Sequence, residues 1–221
     1  MLAAAGYRVH LVLPDDGARP LCCGRTFLAS GLVDEAKAEA QRTISALKPY
    51  VEKGVPIVGL EPSCLLGMRD EFLSMLPGPE TAALASDALL FEEFIAREAA
   101  GGRLKLKLKA SPHTKVLLHG HCHQKAFDAM PATRAALKLV PGLEVEVVQS
   151  SCCGMAGGFG YEAGHYDVSI KMAEASLLPA VRAAAADTVI AADGTSCRHQ
   201  IRDGAGRQAL HVARVLAQAL A

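Results

Sequence analysis

Two copies of one cysteine pattern constrain this chain more than any other feature: Cys22-Cys23-Gly24 followed by Cys64, and Cys152-Cys153-Gly154 followed by Cys197. The seventh cysteine, Cys122, precedes the second copy within His121-Cys122-His123. Neighbouring side chains on extended backbone point in opposite directions, so adjacent cysteines converge on one site only where the backbone turns sharply. Gly24 and Gly154 can supply that turn, because glycine enters positive φ without steric cost.

The surroundings repeat as well. Each copy reads as an apolar strand (Val9–Leu13; Leu143–Val148), the Cys-Cys-Gly turn, a helix, a second apolar strand (Val55–Leu60; Thr188–Ala192) and a lone cysteine. The pattern predicts an α/β fold of two pseudo-repeat halves, each a mostly parallel sheet flanked by helices. The expected divisions are 1–76 for the first half, 77–110 for a linker helix and edge strand, and 111–221 for the second half.

Ahead of its turn the second half also has a strand (Lys115–His119), Cys122 and a helix from about Phe127 to Val140, where the first half has only a helix end at Met1–Gly6, capped by Gly6, and one strand. The first half is therefore expected to be truncated, with a strand and most of a helix upstream of Met1. Further expected elements are a short helix over Leu66–Leu76, a break at Pro77-Gly78-Pro79, a helix from about Thr81 to Ala99 ended by Gly101-Gly102, a long helix from about Tyr166 to Ala185, and a terminal helix around Gln208–Ala219. Arg103–Lys109 alternates leucine with basic residues and reads as a half-buried strand whose lysines block edge-to-edge pairing rather than dock a partner.

Seven is an odd number of thiols. No stretch approaches the roughly 18 apolar residues of a membrane span, and Met1–Gly6 lacks the basic start and length of a secretory signal. The chain is expected in the reducing cytoplasm, where thiols serve as metal ligands more readily than as disulfides. With Lys+Arg and Asp+Glu both at 23, charge gives no pull toward nucleic acid.

Structural zinc sites usually space their thiolates by two to four residues, whereas a multi-iron cluster lets adjacent thiolates bind different metals. An ordinary cubane cluster takes about four thiolates, and Cys122, Cys152, Cys153 and Cys197 supply them in the second half. The first half offers Cys22, Cys23 and Cys64 and is one ligand short. A helix after each turn would favour thiolates through its dipole. His119, His121 and His123 share one face if 117–123 is extended, with Cys122 on the other, so they read as polar groups lining a cluster rather than a three-histidine zinc site. Gly157-Gly158-Phe159-Gly160 lacks the strand and helix context of a phosphate loop.

Three other readings use the same residues: a colourless zinc-binding structural or interaction domain using the cysteines with His121 or His123, a thiol–disulfide enzyme, and buried cysteines repeated by duplication. Neighbouring cysteines close a strained ring and neither pair is Cys-x-x-Cys, which counts against the thiol–disulfide enzyme.

At His119-Gly-His-Cys-His-Gln-Lys-Ala126 and Ser151-Cys-Cys-Gly-Met-Ala-Gly-Gly-Phe-Gly-Tyr161, running on to Lys171-Met-Ala-Glu-Ala-Ser-Leu-Leu-Pro179, the chain closely resembles the cysteine-rich CCG domain. That domain occurs in one subunit of heterodisulfide reductase, in the iron–sulfur subunits of glycolate, lactate and anaerobic glycerol-3-phosphate dehydrogenases, and at the end of FAD-linked 2-hydroxyacid oxidases with a 4Fe-4S segment. The resemblance implies one 4Fe-4S cluster, with a second in the first half as a further expectation, and FAD only in a partner or an upstream domain. It also implies a flavin dehydrogenase and a ferredoxin-like subunit or domain as partners, a quinone or similar acceptor, and contact with the inner face of the membrane only through partners. Glu61-Pro-Ser-Cys64 and Gly194-Thr-Ser-Cys197 keep only the second cysteine of the family's closing Cys-x-x-Cys, which leaves Glu61 as a candidate oxygen ligand in the first half. The chain has no flavin-binding or Cys-x-x-Cys-x-x-Cys segment, so it is not expected to oxidise a hydroxy acid alone.

Overall fold

The computed structural model describes residues 1–14 and 19–221. They form two compact units, Arg8–Phe91 and Glu92–Ala221 with Met1–Tyr7. Both are built from parallel strands and helices, so the α/β class holds.

The first unit runs α1 (Arg25–Ala29), α2 (Val33–Val51), β1 (Ile57–Gly59), α3 (Pro62–Met68), α4 (Glu71–Met75), α5 (Pro79–Asp87) and β2 (Ala88–Leu90). Strands β1 and β2 pair in parallel, Ile57 opposite Ala88. Helix α2 turns Ala40, Ile44 and Leu47 onto Phe72 and Leu84, spaced three or four residues apart on one face.

The second unit runs α6 (Phe91–Ala100), β3 (Lys115–His119), α7 (Cys122–Ala126), α8 (Met130–Leu137), β4 (Glu144–Val147), α9 (Tyr166–Glu174), α10 (Leu177–Ala183), β5 (Val189–Ala192), α11 (Thr195–Ala205), β6 (Ala209–Leu210) and α12 (Val212–Gln218). Its sheet is parallel throughout, in the order β4-β3-β5-β6. All four residues of β5 are buried, as expected of an interior parallel strand covered on both faces. The chain leaves β3 toward β4 on one side and returns as β5 on the other, so the topology switches beside the carboxyl end of β3, the place where open parallel sheets bind ligands.

Several sequence expectations change. Val9–Leu13 is not a strand: it pairs with nothing among the described residues, and Leu11 is 83% exposed. An apolar run becomes a strand only where a neighbour takes its amides. The helix expected over Thr81–Ala99 is interrupted by β2, because Ala88–Leu90 completes the β1 ladder. Arg103–Lys109 keeps its burial alternation but makes one antiparallel bridge, Leu108 to Leu220, in place of a ladder.

The 66–76 helix is two, α3 and α4, and the 166–185 helix is two, α9 and α10, so that Pro179 falls in the first turn of α10, where its missing amide is harmless. Helix α11 was not foreseen, and the terminal helix begins only after β6. Gly6 does cap a short helical turn, at φ 84°. Among the described residues no helix is long and apolar enough to cross a membrane.

Candidate metal centre

Three strands of the second unit deliver its cysteines to one end of the sheet. β3 leads into Cys122, β4 into Cys152 and Cys153, and β5 into Cys197, the third residue of α11. Gly154 sits at φ 87°, which bends Cys152-Cys153 back on itself, and its amide points at Cys152 Sγ 3.4 Å away. A Cβ on Gly154 would lie 2.2 Å from the Ser169 carbonyl oxygen, so the turn admits only glycine. Gly194 is equally confined: a Cβ there would lie 2.3 Å from the His121 ring and 3.2 Å from Cys197 Sγ.

The thiols interact in sequence. Cys122 and Cys153 both donate to Cys152, which holds the Cys152 thiol far below its ordinary range and pushes the two donors up. Cys153 also donates to Cys197, whose thiol is held down first by that bond and then by His119. Cys153 and Cys197 are 3% and 1% exposed, while Cys122 stands at the surface. The four thiols are thus neighbours in turn at this end of the sheet, although among the described residues no three of them lie within 4.8 Å of one another.

The histidines do not behave as an extended strand would place them. The chain turns helical at Cys122: His121 caps α7, accepting from the His123 amide at 3.1 Å, while Gln124 accepts from the His121 amide at 3.0 Å. This capping box brings the donor atoms of His121, Cys122 and His123 within 4.8 Å of one another, against the expectation that these histidines and Cys122 diverge. His119 joins a different group, with Cys153 and Cys197. A three-histidine site is thus not what the geometry offers. The Nδ1 of His119 is 2.9 Å from Ser150 Oγ, and its buried Nε2 has no hydrogen-bond partner among the described residues, leaving a donor atom beside the thiols.

Sequence reasoning missed three supporting residues, Gln124, Asp193 and Lys125. Gln124, fully buried, donates to Asp193 Oδ2 at 2.7 Å and so ties the Cys122 turn to the turn that carries Cys197. Lys125 donates to the carbonyls of Ser150 and Ser151 just ahead of Cys152, at 2.8 Å to the latter, and lies within electrostatic reach of all four thiols. Burial pulls its ammonium below the usual lysine range. Only Gln124 had a sequence signal, its place three residues after the His121 cap.

The first unit repeats the turn with fewer donors gathered around it. Gly24 has φ 74°, its amide points at Cys22 Sγ 3.4 Å away, and a Cβ there would lie 2.7 Å from the Ala36 carbonyl oxygen. Cys64 donates to Cys23, lowering Cys23 to about 6 and raising Cys64, with the Glu61 carboxylate adding to that rise. Glu61 also accepts from Ser63 Oγ at 2.8 Å. Among the described residues of this unit no three donors converge within 4.8 Å. A helix, α1, follows this turn directly. After Gly154, positive φ at Ala156 and Gly157 delays any helix to a short 3-10 turn and then α9, so the expected helix dipole is lacking there.

The residues of the second unit fit a thiolate-bound metal centre: four thiols at one sheet end, two of them deeply buried, with histidine nitrogens alongside and glycines where side chains would intrude. Comparison with known proteins agrees with this class. Residues 116–202 match the family model described as a cysteine-rich domain, CCG. The chain is homologous to a subunit of the anaerobic glycerol-3-phosphate dehydrogenase of Escherichia coli, with 30% identity over the whole of this chain and 54% of that protein. It is likewise homologous to D-2-hydroxyglutarate dehydrogenase of E. coli (28% identical, 87% of this chain and 18% of that one) and of Pseudomonas putida (28%, 96% and 19%). The chain thus spans about half of the first relative and under a fifth of the others. No solved structure matches it.

Proposed function

We propose that this chain is the iron–sulfur electron-transfer part of an FAD-linked dehydrogenase of the 2-hydroxyacid or glycerol-3-phosphate type. Cys122, Cys152, Cys153 and Cys197 would hold a 4Fe-4S cluster. The convergence of these four thiols, from three different strand ends, is the observation that carries the reading. Bound there, the cluster would supply one-electron transfer between a flavoprotein partner and a quinone or similar acceptor.

The chain's own residues set the conditions for that chemistry. Burial of Cys153 and Cys197 keeps water from one side of the site, while exposed Cys122 marks the side a redox partner approaches. Gln124 and Lys125 fix the two loops that carry Cys122 and Cys152, so the thiol spacing is held before any metal arrives. In this reading, oxidation of substrate belongs to a flavin-bearing partner or domain.

The grouping of His121, Cys122 and His123 supports a second reading, a zinc-binding structural domain. Iron, zinc and acid-labile sulfide, measured on protein purified without oxygen, separate the two. About four iron and four sulfide per chain with a brown colour support the cluster; zinc without sulfide replaces it with the structural site.

A further inference from the structure

The second unit holds another group of ligating side chains, which contains no cysteine. Glu92 on α6, Asp193 at the end of β5 and His211 at the start of α12 bring their donor atoms within 4.8 Å of one another. Glu92 and Asp193 are both 0% exposed. Asp193 is well anchored: Oδ2 accepts from Gln124 at 2.7 Å and Oδ1 from the Val212 amide at 2.9 Å. His211 Nδ1 lies 3.3 Å from Asp193 Oδ1 and 3.7 Å from Glu92 Oε1, and it accepts from the Ala213 amide at 3.0 Å.

Glu92 is the anomaly. Among the described residues neither of its buried carboxylate oxygens has a hydrogen-bond partner. Burying a carboxylate without a partner is costly, and a second carboxylate beside it adds repulsion. A protonated Glu92 would still need an acceptor for its own O–H, and His211 Nδ1 at 3.7 Å is too far to serve.

We propose that Glu92, Asp193 and His211 bind one divalent first-row cation such as Mn2+ or Zn2+, at a site separate from the cysteine centre. Two carboxylates balance the charge of such an ion. The donor separations of 3.3 and 3.7 Å are close to the roughly 3.3–3.6 Å expected between tetrahedral ligands at zinc-like bond lengths. Gln124 and the Val212 amide supply the outer hydrogen bonds that orient a ligating carboxylate. His211 Nδ1 has one in-plane lone pair, which accepts from the Ala213 amide. The cation would compete with the Ala213 amide for that lone pair.

The test uses Mn2+, which favours carboxylate and imidazole over thiolate and so leaves the cysteines alone. Free Mn2+ is followed by electron paramagnetic resonance as it is titrated into the whole chain and into Glu92→Gln, with iron and sulfide measured on the same samples. The expected result is one Mn2+ per chain, bound about 100-fold more weakly in E92Q, and a rise in Tm with Mn2+ in the unsubstituted chain only. E92Q removes a buried charge and keeps the shape, so it should fold; if it does not, the Tm response of the unsubstituted chain still decides. Absence of both a stoichiometric Mn2+ site and a Tm response, or equal binding in E92Q, overturns the proposal. The iron and sulfide values report separately on the cysteine centre.

Discussion

The two Cys-Cys-Gly turns have the same backbone and different surroundings. Gly24 and Gly154 share the left-handed conformation, and in each the glycine amide points 3.4 Å to the first cysteine's sulfur. Near Gly154, Cys153 and Cys197 form a close donor triplet with His119, with Cys152 and Cys122 next to them, whereas around Gly24 the close thiol pair is Cys23 with Cys64 and no triplet of donors forms among the described residues. A shared turn shape therefore does not by itself gather the same set of donors. What differs is how many strand ends converge on it, since β3 and Cys122 have no counterpart among the described residues of the first unit.

The largest expected difference comes from removing one buried thiol in each unit. Cys153→Ser should take bound iron and visible absorbance to near zero, while Cys64→Ser leaves both unchanged within error. Iron loss in Cys64→Ser would show that the first unit shares the cluster. Next come the two glycines. Gly154→Ala forces φ 87° on a side chain and drives its Cβ to 2.2 Å from the Ser169 carbonyl, costing about 2–5 kcal/mol in denaturant unfolding. Gly24→Ala, with 2.7 Å to the Ala36 carbonyl, should cost about 1–3 kcal/mol. The reverse order would mean that the first turn is the more rigid one.

The smallest effect sharpens the role of charge. Lys125→Met removes a cation close to all four thiols and should lower the midpoint potential of the bound cluster by on the order of tens of millivolts. Lys125→Arg should restore most of it, and a potential indifferent to both changes would limit Lys125 to holding the Ser150 and Ser151 carbonyls.

The two inner strands of the second unit, β3 and β5, were legible because they are largely buried and read as apolar runs. Lys115–His119 was found to the residue and Val189–Ala192 to within one. Val9–Leu13 carries the same pattern and is no strand, because a ladder needs a partner that composition cannot reveal. Ala88–Leu90 was hidden for the opposite reason: alanine and leucine favour helices, and only the pairing with β1 makes them extended. The gathering of cysteines was visible in their spacing. The reversal at Cys122 was not, since it depends on His121 and Gln124 acting together as a helix cap, nor was Asp193, whose role arises from a contact between distant turns.

The most direct test of the account is iron and acid-labile sulfide per chain in two paired variants, Cys152→Ser/Cys153→Ser and Cys22→Ser/Cys23→Ser, each prepared without oxygen. The account predicts loss of both iron and sulfide in the first variant and about four of each, as in the unsubstituted chain, in the second. Equal loss in the two, or iron retained in the first, would contradict it.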